Sequence, residues 1–509
     1  MVSGNLAHLS NKQAVRSDSG RYAVIDVGSN SIRLVIFDRL TRGLSIMFNE
    51  KVLCGLGSNI NVTGRLNEEG IHQALTNLRR FSILIREMDV QSLDAVATAA
   101  VRDAQDGAAF LKRVYDECNL ELRVLSGQDE CRYTAYGVLS SISGANGLVG
   151  DLGGGSLELA QLSHGSVSNS YTLPLGPLRL RAQETRNDKP CLSRIDSVFD
   201  DIVQTPMESK AVLYLVGGNW RALGRLHMSQ SSYPLRVVHQ YTMTYKEIYD
   251  FALLISKQSP KSLNGVSDIS KKRLELIPIA ASVLLMLLGK IRPKKIVFCG
   301  TGLREGLAYS RLATREKVQD PLISVCRDLA CRVARFPNHG DELSSWIGSI
   351  FENESNDEVR LRHATCLLSD IAWRIHPDYR AEYALMEALW LQAAIDHRGR
   401  TFLGLATMYR YSSKKVPKLA SDVGRLLDEN VLHRARAVGL AARVGETICG
   451  GVPGVLHRFS LLKNGNRLFL RCQKDDSSMI GYVVRARFQA LARHLSLMPC
   501  IENVSLQNN

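Results

Sequence analysis

The residues best suited to chemistry in this chain gather around two short, similar turns. In the first, the apolar run Ala23-Val24-Ile25 ends on Asp26 and leads into Val27-Gly28-Ser29-Asn30-Ser31-Ile32-Arg33-Leu34. In the second, Leu148-Val149-Gly150 leads into Asp151-Leu152-Gly153-Gly154-Gly155-Ser156-Leu157-Glu158-Leu159. Aligned on the aspartates, the two share Asp, Gly, Ser and Leu at the same offsets. A buried strand ending on Asp151 points its carboxylate into the loop mouth, and the glycines beside it let backbone N–H groups approach an anion. That combination predicts a phosphate cradle with a metal-binding acid next to it. One glycine cluster alone would be ordinary turn punctuation. Its repetition points to two related halves facing one ligand.

The elements that must hold these turns follow from periodicity. Residues 22–27, 32–38 and 45–53 alternate like strands of a meander. Helical spacing over 68–88, with Asn67 as N-cap, leads to a strand at 93–97 that delivers Thr98 to Asp103, and with them Arg102, to a loop of the same kind. A short strand at 122–125 precedes Ser126-Gly127-Gln128-Asp129, which resembles a capped helix start. Glu130 then falls in the first helical turn, while Cys131, Ala135, Val138, Leu139 and Ile142 form the anchoring face. An acid there also complements the helix dipole, so Glu130 has a structural as well as a chemical explanation. Further strands at 166–173, 212–216 and 295–298 are expected. The last two run into Gly217-Gly218-Asn219 and Gly300-Thr301-Gly302, the strand-to-glycine-to-helix layout of phosphate sites in α/β proteins.

The chain of 509 residues is 45% apolar, enough to bury several cores, and length alone suggests about three domains. Residues 1–20 read as a polar, disordered lead-in without the apolar core of a secretory signal. The longest apolar run, 276–288, contains a proline and is too short to span a bilayer, so a cytoplasmic protein is expected. Eleven scattered cysteines without a C-x-x-C pair predict reduced core residues, and the Cys326/Cys331 spacing suits neither zinc nor redox chemistry. The formal charge of +14 favours polyanionic partners, and residues 401–509 carry 16 Lys/Arg against 7 Asp/Glu. Composition turns charged near 310–321, residues 322–427 read as helical, and 456–462 with 467–472 predict a hairpin with a type I′ turn at Asn464-Gly465 before a helix at 483–495.

Together, Asp26-Val-Gly-Ser-Asn-Ser-Ile-Arg33, Ser126-Gly-Gln-Asp-Glu-Cys-Arg132, Asp151-Leu-Gly-Gly-Gly-Ser-Leu-Glu158 and Gly302-Leu-Arg-Glu-Gly306 resemble the exopolyphosphatase/guanosine pentaphosphate phosphohydrolase (Ppx/GppA) family over residues 21 to 310. The resemblance implies an α/β fold: two actin-like (ASKHA, ribonuclease H-like) domains around a cleft, then a mostly helical HD-like domain and a small basic α/β segment. The boundaries expected are 21–143, 144–312, 313–430 and 431–509. It implies an exopolyphosphatase that releases orthophosphate from polyphosphate ends with Mg²⁺, or alternatively a guanosine pentaphosphate 5′-phosphohydrolase. A sugar-kinase-like phosphotransferase and a non-catalytic polyphosphate or alarmone sensor are the further alternatives.

By position, the resemblance makes Glu130 the general base and gives Asp151 and Glu158 the metal and the attacking water, with Asp26 able to share. Gly28, Ser29, Asn30, Ser31, Arg33, Arg102, Gly153, Gly154, Gly155 and Ser156 would hold phosphate. Two departures stand out: Asp129-Glu130 where the family often has Glu-Glu, and Leu157 where a hydroxyl is common, which removes one possible phosphate contact. In the helical part no His-Asp dipeptide occurs. Its equivalent is Ser369-Asp370, with His363, His376 and His397 dispersed, so no working HD metal site is expected. That region would instead offer a basic groove for a long polyphosphate and help build a homodimer. Inorganic polyphosphate or guanosine penta/tetraphosphate are the partners implied, and no nucleic acid.

Overall fold

The computed structural model describes residues 20–58, 60–184, 211–259, 261–263, 269–412 and 416–504. The lead-in expected over 1–20 lies, apart from Gly20, outside these residues. Two compact units emerge, one ending at Gln319 and one beginning at Asp320.

The first unit holds two sheets. In one, β1 (Arg21–Val27), β2 (Ser31–Phe37), β3 (Ile46–Leu53), β4 (Val90–Ala97) and β5 (Arg123–Val124) lie in the order β3-β2-β1-β4-β5. The first three form an antiparallel meander, and β4 and β5 add in parallel. The other sheet contains β6 (Gly147–Leu152), β7 (Leu157–Ser163), β8 (Ser166–Leu173), β9 (Val212–Val216), β10 (Tyr241–Thr244) and β11 (Lys295–Phe298), in the order β10-β11-β9-β6-β7-β8. Read from β8, it repeats the first: an antiparallel meander, then β9 and β11 in parallel, with β10 as an added antiparallel edge. The halves suggested by the two turns are therefore repeated as topology, the actin-like arrangement.

Alternation along the central strands explains how each half is held. Ala23, Ile25, Ile32, Leu34 and Ile36 are fully buried against the helix Glu68–Glu87 and its neighbours, while Tyr22, Val24, Val35 and Phe37 fill a second core on the opposite face. Strands buried on both faces carry nearly continuous apolar sequence, so only their ends are free for polar work. The helix Gly127–Ser141 starts where expected: Ser126 caps it by accepting from Asp129 N. It packs on β6, β7 and β8 and crosses the helix Leu303–Arg311. That crossing demands glycine, since a Cβ on Gly306 would lie 1.6 Å from the Tyr133 carbonyl oxygen and one on Gly137 2.1 Å from that of Gly302.

The second unit is helical from Pro321 to Cys449 and ends in a three-stranded sheet of β12 (Phe459–Asn464), β13 (Arg467–Gln473) and β14 (Met498–Val504). The boundary expected at 430/431 falls at the start of the helix Glu429–Cys449, which packs on both His397–Tyr411 and Tyr482–His494. The predicted hairpin forms with a shifted turn. Asn464 pairs with Arg467, so Gly465 and Asn466 are the loop residues. Only Gly465 has positive φ, at 57°. This is the type II′ pattern, with glycine first, in place of the expected type I′.

Ser369-Asp370, which stands in place of an HD dipeptide, belongs to a buried polar network. Arg335 donates to both Asp370 oxygens, at 3.0 and 2.7 Å, and the Ser369 hydroxyl donates to Glu446 Oε1 at 2.6 Å. Arg410 lies 3.2 Å from Glu446 Oε2. The histidine beside this network is His339, 3.6 Å from Glu446, which no sequence pattern singled out. His363 bonds Asp341 instead, His376 is exposed, and His397 opens a helix capped by Asp396. The carboxylates here are matched by the protein's own arginines.

Candidate active site

The two glycine turns close in the same way. Gly28 N donates to Ser31 O at 3.0 Å, and Gly153 N donates to Ser156 O at 3.0 Å. Loops beside them engage their carbonyls: Gly57 N bonds Ser29 O, Cys54 and Gly55 bond Asn30 O, and Leu178 N bonds Gly154 O. Gly176 is pressed so closely behind the second turn that a Cβ there would lie 2.2 Å from the carbonyl carbon of Gly155. With their carbonyls held, these turns offer a ligand donors, the requirement for an anion cradle. The turns face each other, since a Cβ on Gly155 would come 3.9 Å from Ser29 Oγ. Both line one cleft of about 960 Å³, together with Arg102, Ser126 to Gln128, Thr172, Arg179 and Arg181.

Three carboxylates converge beside the cleft. Asp151 and Glu158 are directly opposite one another on β6 and β7. Asp151 Oδ2 accepts from the Thr134 hydroxyl at 3.0 Å, and Glu158 Oε1 accepts from the Ser156 hydroxyl. Glu130, one turn before Thr134, accepts from Arg102 Nη1 at 2.5 Å; the same nitrogen lies 2.8 Å from Leu125 O. Burial pushes the Glu130 carboxyl up to about 7, with Arg102 opposing the shift and Asp151 and Asp26 adding to it. Glu158 is raised well above the usual carboxylate range by burial and by the Glu130 and Asp151 charges. Burial also raises Asp151, against the pull of Thr134, Arg221 and Arg304. The site thus concentrates more negative charge than its own cations neutralise, which favours an added cation or proton.

Among the described residues, no three His, Cys, Asp or Glu side chains form a set able to hold a metal by themselves. Mg²⁺ does not need one, because it usually takes one or two carboxylates and completes its shell with water and substrate phosphates. Asp151 and Glu158, hard oxygen donors in cross-strand register, suit that demand and not a caged transition metal.

The structure brings together Ser29, Asn30, Arg102, Gly154, Gly155 and Ser156 around the cleft, with Glu130, Asp151 and Glu158 beside it. Gly28 and Gly153 act by closing the turns. Arg33 lies elsewhere: it faces Asp26 across β1 and β2, donates to Asn49 Oδ1 at 2.7 Å and does not line the cleft. Asp26 is paired with Arg304 at 2.7 Å, so the aspartate considered for a share of the metal has a protein cation on it. The Leu157 side chain is fully buried in the core with Leu152, Leu173 and Trp220 and faces away from the cleft. Two contributors were missed. Thr134 follows Glu130 by four residues and so shares its helix face, a usable signal. Arg304 sits inside the Gly302–Gly306 motif without a role assigned to it.

Residues 19–315 match the model of the Ppx/GppA phosphatase family, and residues 322–497 match that of the exopolyphosphatase C-terminal domain. The chain belongs to the Ppx/GppA phosphatase family. Similar proteins include Retrograde regulation protein 2 of Saccharomyces cerevisiae, 25% identical over 484 residues, which span 85% of this chain and 81% of that one. Exopolyphosphatase 1 of Mycobacterium tuberculosis is 27% identical over 305 residues, 57% of this chain and 88% of that one. Among solved structures, an exopolyphosphatase-like protein shares the fold at a TM-score of 0.50 and 23% identity, covering 58% of this chain and 98% of its own. No helix among the described residues is long and apolar enough to cross a membrane.

Proposed function

We propose that this member of the family is an exopolyphosphatase, removing the terminal phosphoryl group of inorganic polyphosphate as orthophosphate. The observation that carries the proposal is the convergence of Glu130, Asp151 and Glu158 beside two facing glycine turns. Phosphoryl transfer passes through a loose transition state, so the protein's task is to position an in-line water and to stabilise charge on the phosphoryl oxygens. Glu130 takes a proton from the attacking water as its oxygen bonds to phosphorus, and the bridging P–O bond breaks to release the shortened chain. A carboxyl raised to about 7 is a better match for this task than an ordinary glutamate. In the ligand-free structure Arg102 binds Glu130. When phosphate is present, Arg102 turns to the phosphoryl oxygens and frees the base. Ser156 and Thr134 fix the rotamers of Glu158 and Asp151. Mg²⁺, held by Asp151 and Glu158, would supply Lewis-acid stabilisation of the phosphoryl oxygens.

The basic residues beyond 400 suit a long polyanion better than a single nucleotide, which favours polyphosphate over guanosine pentaphosphate. A second reading comes from the yeast relative, whose match spans both units and whose name describes regulation. In that reading the same cleft senses its ligand without turnover. Orthophosphate release from polyphosphate and from guanosine pentaphosphate, with and without Mg²⁺, separates these readings. The proposal expects faster release from polyphosphate and none without a divalent cation. Binding without release would support the sensor.

A further inference from the structure

In the second unit, three helices that pack on one another are short of acids. His397–Tyr411 and Tyr482–His494 contain no Asp or Glu, and Glu429–Cys449, which packs against both, contains only Glu429 and Glu446. Close approach brings their arginines together. A Cβ on Gly439 would lie 2.3 Å from Ala406 O and 3.1 Å from Arg410 N, so the Arg410 backbone lies against Glu429–Cys449 one turn before Arg443. From there Arg410 reaches Glu446, with Nη2 3.2 Å from Oε2. On the other flank Arg487 Nη1 donates to Thr447 Oγ1, whose own proton goes to Arg443 O at 2.6 Å. Residues three and four apart share a helix face. Arg443, one turn before both Glu446 and Thr447, therefore stands between Arg410 and Arg487.

The three arginines differ in how they are compensated. Arg410 is taken up by Glu446, which is buried and also accepts from Ser369. Arg487 has a neutral hydroxyl. The Arg443 guanidinium has neither a hydrogen-bond nor an ion-pair partner among the described residues. Arg443 and Arg487 are half-buried, and so still reachable from solvent. Burial, then the Arg487 and Arg410 charges, push the Arg443 guanidinium down to about 10. Burial and then Arg410 lower Arg487 as well. Like charges gathered in this way repel one another, and an entering anion removes the repulsion. The group is also short. Arg436, two turns earlier on the face of Arg443, lies over the Tyr409 ring, 5.3 Å from its centroid. The open cations thus span about one helical turn, about 5.4 Å.

We propose that Arg443 and Arg487, with Arg410 behind them, form a binding site in the second unit for one compact phosphate group. A carboxylate offers two oxygens, whereas a phosphate dianion offers at least three, which suits guanidinium forks arriving from separate helices. A span of one turn fits a single tetrahedral group and not an extended chain. The group could be free orthophosphate or the end of a small phosphomonoester. The site lies wholly within the second unit, and the inference does not rest on the activity proposed above.

The test is equilibrium dialysis of inorganic phosphate, and separately of glycerol 3-phosphate, against the metal-free full chain. Arg443→Met and Arg487→Met should each weaken one phosphate site about tenfold, the scale of one charge-assisted contact, whereas Arg436→Met should leave it unchanged. If the cleft of the first unit also binds phosphate, the parent holds two per chain and Arg443→Met keeps one at the parental affinity. If it does not, the counts are one and none, so the site is read whether or not the proposed activity exists. Because Arg443→Met relieves repulsion, it should melt no lower than the parent without phosphate. It should also lose the rise in melting temperature that phosphate gives the parent. Binding of both probes, or of inorganic phosphate alone, supports the site and identifies which source it accepts. Parental binding in both variants would overturn it, and so would an equal loss in Arg436→Met, the mark of a diffuse basic surface.

Discussion

The hairpin of β1 and β2 and the hairpin of β6 and β7 have the same backbone and opposite electrostatics. Both begin on an aspartate at a strand end, and both close a glycine turn with one 3.0 Å bond. They diverge at the residue facing the aspartate. Arg33 stands opposite Asp26, which also carries Arg304, whereas Glu158 stands opposite Asp151. The first hairpin therefore balances its acid, and the second doubles it and adds Glu130 from the neighbouring helix. The repeated topology supplies two similar turns that differ in the residue facing each aspartate. In the proposed mechanism the overcharged hairpin would hold a divalent cation and a water, and the balanced one would grip phosphate. The Asp370–Glu446 network of the second unit, whose carboxylates are matched by arginines, resembles the balanced hairpin and has no comparable demand for a metal.

The comparison can be broken from either side. The largest effect should come from Asp151→Asn, which removes charge from the overcharged hairpin while keeping its shape. Turnover should fall on the order of a thousandfold and lose most of its response to Mg²⁺, measured as orthophosphate release against metal concentration. On the balanced side, Arg304→Met leaves Asp26 nearly buried without its cation and should cost about 2–4 kcal/mol of stability, read from denaturant unfolding.

The mildest probe is pH, and its two consequences run in opposite directions. With the Glu130 carboxyl raised to about 7, the base is protonated below that value, and kcat/KM should fall about tenfold per unit as pH drops further. The same group binds its proton more tightly folded than unfolded. Its contribution to stability is thus complete below about 4.5 and is lost as pH rises through about 7. Melting temperature of the metal-free protein and kcat/KM should therefore move oppositely between these limits.

Much of this site was legible because it is local. Asp26 and Asp151 announce themselves by strand, acid and glycine in sequence, and Ser126 and Glu130 by a capping pattern. What stayed hidden depends on which strands become neighbours. Arg33 follows the first glycine turn so closely that its sequence position suggested phosphate contact there, yet strand alternation turns it toward Asp26 and Lys51. Leu157 shows the same effect in reverse, since its neighbour Glu158 faces the site and alternation sends Leu157 into the core. In the second unit, His339 joins Glu446 only through tertiary packing, while the histidines nearest Asp370 in sequence go elsewhere.

The central claim is that the overcharged hairpin and Glu130 together activate water against a bound phosphoryl group. Orthophosphate release from polyphosphate by the parent and by Glu130→Gln, at saturating Mg²⁺ and with polyphosphate binding measured alongside, tests it most directly. The account predicts a loss of roughly a thousandfold in turnover with binding retained. A Glu130→Gln protein as active as the parent would contradict it.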